Sequence, residues 1–192
     1  MITEKILDYA SRHPVFRARH LETALGIPTR KLNKLLYYME KKGDIERVMK
    51  GVYTVTDDEK VIATGVYHPS YISLYSALFI EGVFEQVPKR LHVVTSTVYG
   101  VRDLNYQDAS IRFYKITPKL FFGYKWREEN EFPYPLAIPE KAVLDTLYLG
   151  FTLDIGTLHW EDLDQTLVHQ FVSLYPKSVK KKLNVYLSNC TK

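Results

Sequence analysis

Apolar residues recur at helical spacing three times before residue 43, and then give way to short alternating runs. Ile6, Leu7 and Ala10 lie on one face of a helix over residues 3–12, and Leu21 and Leu25 mark a second. Leu32, Leu35, Leu36 and Met39 repeat at i, i+3, i+4 and i+7, which defines the stripe of a third. Between the last two helices Gly26 takes a tight turn. Pro28 then supplies the fixed φ of a first helical position, and Thr29 a hydroxyl cap. Beyond Gly43, residues 45–47 and 52–55 read as two strands around Met49-Lys50-Gly51. Helix, helix, turn, helix and hairpin over residues 1–56 predict a winged helix-turn-helix.

The pattern changes after residue 56. Asp57, Asp58, Glu59 and Lys60 form a polar break and the expected boundary of a second domain, residues 57–192. There Pro69 and Ser70 announce a helix carrying Leu74, Ala77, Leu78 and Glu81 and ending at Gly82. Residues 91–95 read as a buried strand, 110–116 as an exposed edge strand and 119–126 as an aromatic extended segment. Helices follow over 139–149, near 162–174 and over 177–187, so the fold class is α+β: a winged helix-turn-helix and then a mixed α+β domain.

Charge sharpens the picture. Residues 1–56 hold 11 Lys and Arg against 6 Asp and Glu, whereas residues 57–192 hold 15 against 16, so the net charge of +4 resides in the first domain. Such asymmetry is the electrostatic footprint expected for a nucleic-acid partner. The polar face of the third helix presents Thr29, Arg30, Lys31, Asn33, Lys34, Tyr37, Tyr38 and Lys41. Arg30, Lys31, Asn33 and Lys34 lie at its N-terminal half, the part of a recognition helix that meets base edges in a major groove. Arg17 and Arg19 precede the second helix, and Arg47 and Lys50 mark the wing; these four complete the candidate DNA-binding set. A module this small reads sequence through repeated half-sites, so paired or cooperative occupancy is expected.

Other chemistries find less support. The chain has no Gly-x4-Gly-Lys-Ser/Thr loop and no Gly-x-Gly-x-x-Gly turn, and its six histidines do not fall at a chelating helical spacing. No cofactor, metal site or enzymatic activity is expected. Asp58-Glu59-Lys60 and Glu40-Lys41-Lys42 fit the acid-x-Lys element of metal-dependent nucleases, with Asp44 upstream. Neither falls on the adjoining strands that such a site needs. A lone Cys190 excludes an internal disulfide, and the absence of a signal peptide or apolar span points to the cytosol. Glu128, Glu129 and Glu131 read as a solvated loop. Lys177, Lys180, Lys181 and Lys182 flank a stripe of Val179, Leu183, Tyr186 and Leu187, so that one face of the last helix packs and the other is positive.

A winged helix ending in Lys50-Gly51-Val52-Tyr53-Thr54-Val55 and followed in order by three later motifs resembles the AbiEi antitoxin family of type IV toxin–antitoxin (abortive-infection) regulators. The motifs are Ser76-Ala77-Leu78, then Gln86-Val87-Pro88 followed by the strand at His92, and the helix from Pro139 to Asp145. The resemblance covers about residues 3–150. It implies a repressor that binds repeats in its own promoter on double-stranded DNA, with a C-terminal domain that antagonises a nucleotidyltransferase-like toxin. A stand-alone winged-helix regulator without a toxin and a winged-helix protein-interaction module remain alternatives, with the nuclease a more distant one. Each motif also has a plain structural reading, Ser76-Ala77-Leu78 as a close-packed helix face and Asp145 as a partner within its own layer.

Overall fold

The three opening helices form as their periodicity predicts. In the computed structural model, which describes residues 2–153 and 156–190 without the Cys190 side chain, α1 (Ile2–Arg12) is followed by α2 (Ala18–Leu25) and α3 (Thr29–Lys42). Ile6, Ala10, Leu21, Leu32, Leu36 and Met39 bury their side chains together. Leu7 does not join them and stays 38% exposed. The inward face of α1 runs through Ile2, Ile6, Tyr9 and Ala10, and Leu7, one residue past Ile6, is turned about 100° off it.

Three short strands complete this unit. β1 (Val15–Arg17), which no sequence pattern announced, pairs antiparallel with β3 (Val52–Thr54), and β2 (Glu46–Met49) pairs with the other edge of β3. The sheet has two buried sides. Phe16, Tyr53 and the adjacent Ile45 belong to the three-helix core, while Val48, Val52 and Val15 pack into the larger core beyond. An irregularity between Arg47 and Met49 lets Val48 turn inward. The hairpin in the wing position is therefore shared between two cores.

The polar break read as a linker is a helix start. Asp58 Oδ1 accepts from the backbone N–H groups of Lys60 at 2.9 Å and Val61 at 3.4 Å, capping α4 (Glu59–Val66). Val61, Ile62, Ala63, Thr64 and Val66 are all buried, because α4 lies against β1 on one side and against the second sheet on the other. Gly65 permits this approach: a Cβ there would sit 2.5 Å from Cβ of Val15.

The second sheet has the order β6-β7-β5-β4-β9-β8. Its strands are β4 (Ser70–Ile72), β5 (Leu91–Thr95), β6 (Arg102–Tyr106), β7 (Ala109–Lys115), β8 (Tyr124–Arg127) and β9 (Tyr134–Ala137). The sheet is mixed, with β5–β7 and β4–β9 parallel and the other pairs antiparallel. Two expectations are corrected here. Residues 70–72 form a central strand, and the helix α5 (Leu74–Ile80) starts only after it. β7 is covered on its outer side by β6, so the polar RDLNY segment, not residues 110–116, is the edge.

Adjacent residues of a strand point to opposite faces. Ser70 Oγ donates to the carbonyl of Thr64 in α4, whereas the Tyr71 hydroxyl donates to Asp145 in α6 (Pro139–Tyr148). α4 and α6 thus cover opposite faces of the sheet. α7 (Gln165–Val172) and α8 (Lys177–Cys190) pack on α6, and Val179, Leu183 and Tyr186 bury the predicted stripe of α8. Lys182 Nζ donates to the Leu147 carbonyl at 2.9 Å, while Lys177, Lys180 and Lys181 face outward.

Candidate nucleic-acid interface

The turn between α2 and α3 is held from both sides. Gly26 adopts φ +63°, which an L side chain rarely tolerates, and its N–H donates to the Glu22 carbonyl at 2.9 Å. Pro28 stands one place earlier than the spacing predicts, as the residue preceding the helix rather than its first. Its carbonyl accepts from Lys31 and Leu32, both at 3.0 Å. The Thr29 hydroxyl caps nothing in α3; it donates to the carboxylate of Glu22 across the turn. The start of α3 is thereby fixed against α2.

With Leu32, Leu36 and Met39 buried, the other face of α3 is set outward by geometry. Arg30, Lys31, Asn33, Lys34, Tyr37, Tyr38 and Lys41 are all exposed, and Arg30, Lys34, Tyr37 and Lys41 form one stripe along a helix about 21 Å long. Among the described residues none of the side chains of Arg30, Lys31, Asn33, Lys34 or Lys41 enters a hydrogen bond or ion pair within the chain. Their intramolecular contacts are soft: Lys34 Nζ lies 5.9 Å from the Tyr38 ring centroid and Lys41 Nζ 5.9 Å from that of Tyr37. Tyr37 and Tyr38 themselves, 55% and 58% exposed, stand edge to face with centroids 5.7 Å apart. Large aromatic surface left in water beside unpaired cations is what a partner with phosphates and flat bases would cover. Lys42, outside the candidate DNA-binding set, extends the positive end but is paired with Asp44 at 3.3 Å.

The remaining candidates separate. Arg47 is exposed on β2, its guanidinium carbon 5.9 Å from the Tyr53 centroid, and Lys50 is exposed at the hairpin tip. That tip does not project freely, since the Gly51 carbonyl accepts from Ala18 N–H at 3.0 Å. Glu46 on β2 accepts from the Tyr106 hydroxyl and, at 2.9 Å, from Gln107 Nε2, which ties the hairpin to the β6–β7 turn. Arg17 differs from the α3 cations in being engaged within the chain. Its Nη2 donates to the Val66 carbonyl at 2.7 Å and its guanidinium lies over Tyr67, so its charge serves the joint between the two units. Arg19 is exposed beside that joint, away from the α3 stripe.

The nuclease candidates are not assembled either. Asp58 caps α4 and accepts from Asn130 at 2.6 Å, Lys60 pairs with Glu129 at 2.9 Å, and Asp44 faces Lys42. Among the described residues no three His, Cys, Asp or Glu side chains converge as a metal site.

The second unit contains a polar cluster that the sequence did not reveal as such. Lys141 and Asp145, one helical turn apart on α6, are both 0% exposed and directly paired. Lys141 Nζ donates to Tyr175 Oη at 2.6 Å. Asp145 accepts from the hydroxyls of Tyr175 at 2.7 Å, Ser73 at 2.8 Å and Tyr71 at 3.0 Å. The rings of Phe122, Tyr175 and Tyr71 surround the ammonium at 4.9, 5.1 and 5.5 Å. Burial pulls the Lys141 ammonium below its ordinary range while the Asp145 carboxylate opposes that pull. The cluster joins β4, α6 and the α7–α8 corner.

The α1-β1-α2-α3-β2-β3 order and the outward cationic helix define a helix-turn-helix module backed by a strand hairpin. Residues 4–56 match the family model of the AbiEi antitoxin, a transcriptional regulator, so the family resemblance holds over this module. No curated protein matches the chain. The three later motifs lie beyond the matched residues, and two of them have local structural roles. Ser76 Oγ donates to the Arg90 carbonyl at 3.2 Å and accepts from His92 N–H at 2.9 Å, latching α5 to β5. Asp145 organises the buried cluster. Among the described residues no helix is long and apolar enough to cross a membrane.

Proposed function

We propose that the chain is a sequence-specific DNA-binding repressor that places the N-terminal half of α3 in a major groove. Arg30, Lys31, Asn33 and Lys34 meet base edges and phosphates, and Lys41, Arg47 and Lys50 meet flanking phosphates. The observation that carries this reading is the α3 face itself: four cations and two tyrosines in water, without ion pairs among the described residues, on a helix whose opposite side is locked into a core. Residues 1–56 act as the DNA-binding unit and residues 57–192 as the interaction unit, in a protein that works by binding and not by catalysis.

Two finer steps follow from the family resemblance, whose matched residues are 4–56. The repressor acts on repeats in its own promoter, in the cytoplasm, as two or more copies bound cooperatively, and residues 57–192 antagonise a nucleotidyltransferase-like toxin. Mobility shift of the full chain on the DNA upstream of its own gene, against random DNA at two salt concentrations, tests the first step. Tight, salt-sensitive and selective binding supports it; no binding at low salt contradicts it and favours the protein-docking alternative. Co-expression with the product of a neighbouring nucleotidyltransferase gene tests the second, with rescue of growth expected and unrelieved toxicity contradicting it.

A further inference from the structure

Where the two units meet, they enclose a cleft of about 760 Å³, within the size range of small-molecule sites. One wall comes from the end of α1, β1 and the start of α2. The other comes from α4 and the segments around β8 and β9. Its lining is chemically one-sided: Arg12, Arg17, Arg19, His13, His20 and His68 contribute to it, and among the described residues no Asp or Glu does.

Two of these groups are already engaged. Arg12 pairs with Asp8 at 2.6 Å, and Arg17 holds the Val66 carbonyl. Arg19 has no side-chain partner among the described residues, and His13, His20 and His68 stand around the same space. Partial burial, followed by the nearby charges of Arg19, Arg17 and His13, lowers the pKa of His20, as expected where positive groups crowd without an anion between them. Opposite lie flat apolar surfaces. Trp126 on the edge strand β8 is 59% exposed, and Phe132 and Tyr67 line the same cleft. Of the three glutamates between Trp126 and Phe132, Glu129 is paired with Lys60 and Arg127, and neither Glu128 nor Glu131 lines the cleft.

We infer that this cleft binds a free nucleotide, its phosphates on Arg19 and the histidine cluster and its base against Trp126 and Phe132. A guanidinium with imidazoles recognises phosphate through charge-assisted hydrogen bonds, and an exposed indole accepts a base by stacking. The cleft is concave and bounded by two units, whereas the α3 face is convex and belongs to one, so the two sites take different ligands. Binding here does not require the DNA-binding reading to be correct.

Trp126 provides the signal for a direct test. In a Trp160→Phe background, the full chain is titrated with ATP, GTP and AMP without DNA, and indole fluorescence is followed. Saturable quenching is expected for at least one of them. It should weaken about tenfold in Arg19→Ala, consistent with loss of a charge-assisted contact, and be weaker by a similar factor for the matching nucleoside without phosphate. No saturable change up to about 1 mM of any of the three nucleotides overturns the proposal. So does quenching that Arg19→Ala leaves unchanged, or an Arg19→Ala variant that loses duplex DNA while the nucleotides remain without effect, which would make the cleft part of the DNA track. Because the titration contains no DNA, failure of nucleotide binding leaves the repressor reading standing, and failure to bind DNA leaves this one standing.

Discussion

Lysine is used in two opposite ways in this protein. On α3, Lys31, Lys34 and Lys41 stand in water with no acidic partner among the described residues, whereas Lys141 on α6 is 0% exposed and surrounded by a carboxylate, a phenol and three rings. The first arrangement leaves charge for a partner and asks nothing of the fold. The second consumes charge within the fold, because a buried ammonium is tolerated only when it is paired and hydrogen-bonded. The difference gives a rule for reading this molecule: exposed unpaired cations indicate binding, and buried satisfied ones indicate architecture.

That rule breaks most visibly at Asp145. Asp145→Ala leaves Lys141 buried without its carboxylate and should cost about 3–5 kcal/mol in urea unfolding, while Lys141→Met paired with Asp145→Leu should recover much of the loss. A destabilisation within the error of the urea measurement would mean that the cluster does not hold β4, α6 and the α7–α8 corner together. A second buried group sets a pH limit on the same unit. Burial, then the charges of Arg90 and Arg112, lowers the pKa of His92 from 6.5 to about 4. The unfolded chain therefore takes up a proton at a higher pH than the folded one. Stability contributed by neutral His92 is fully present above the unfolded pKa and is lost as pH falls from about 6.5 towards 4, by about 3 kcal/mol. His92→Gln should flatten that part of the stability profile; an unaltered slope would assign it to other groups.

The exposed side of the comparison predicts smaller effects, and on binding alone. Arg30→Ala and Asn33→Ala should each cost about 1–3 kcal/mol on the cognate operator and relax base preference, with unfolding unchanged. Equal losses on random DNA would show that both touch only phosphates. Lys50→Ala should weaken all sequences alike and lower the salt slope by about one unit, and an unchanged slope would remove the hairpin tip from the interface.

The regions differ as much in how far the sequence discloses them. α1, α2 and α3 follow from period alone, and the outward set on α3 follows from the same count, because a helix with one buried stripe has one solvent face. β1 is three residues long and carries no pattern of its own; pairing with β3 creates it. α4 was hidden because it is buried nearly all round and so lacks amphipathic contrast, although Asp58 followed by Glu59 is an ordinary helix start. Pro69 and Ser70 imitated a helix start in what became a central strand. The contact of Arg17 with the Val66 carbonyl was not legible, since the two lie 49 residues apart. The same distance problem conceals the Lys141 cluster: the i, i+4 pair is visible, but Tyr71, Ser73 and Tyr175 reach it only through the fold.

The central claim is that the α3 cations are held out for DNA. The most direct test compares the dependence of log affinity on log salt for wild type and for the combined Lys31→Ala, Lys34→Ala and Lys41→Ala variant, on DNA from upstream of the gene. The account predicts a slope reduced by about 3 units with the unfolding transition unmoved. A slope equal to that of wild type, at equal stability, would contradict it.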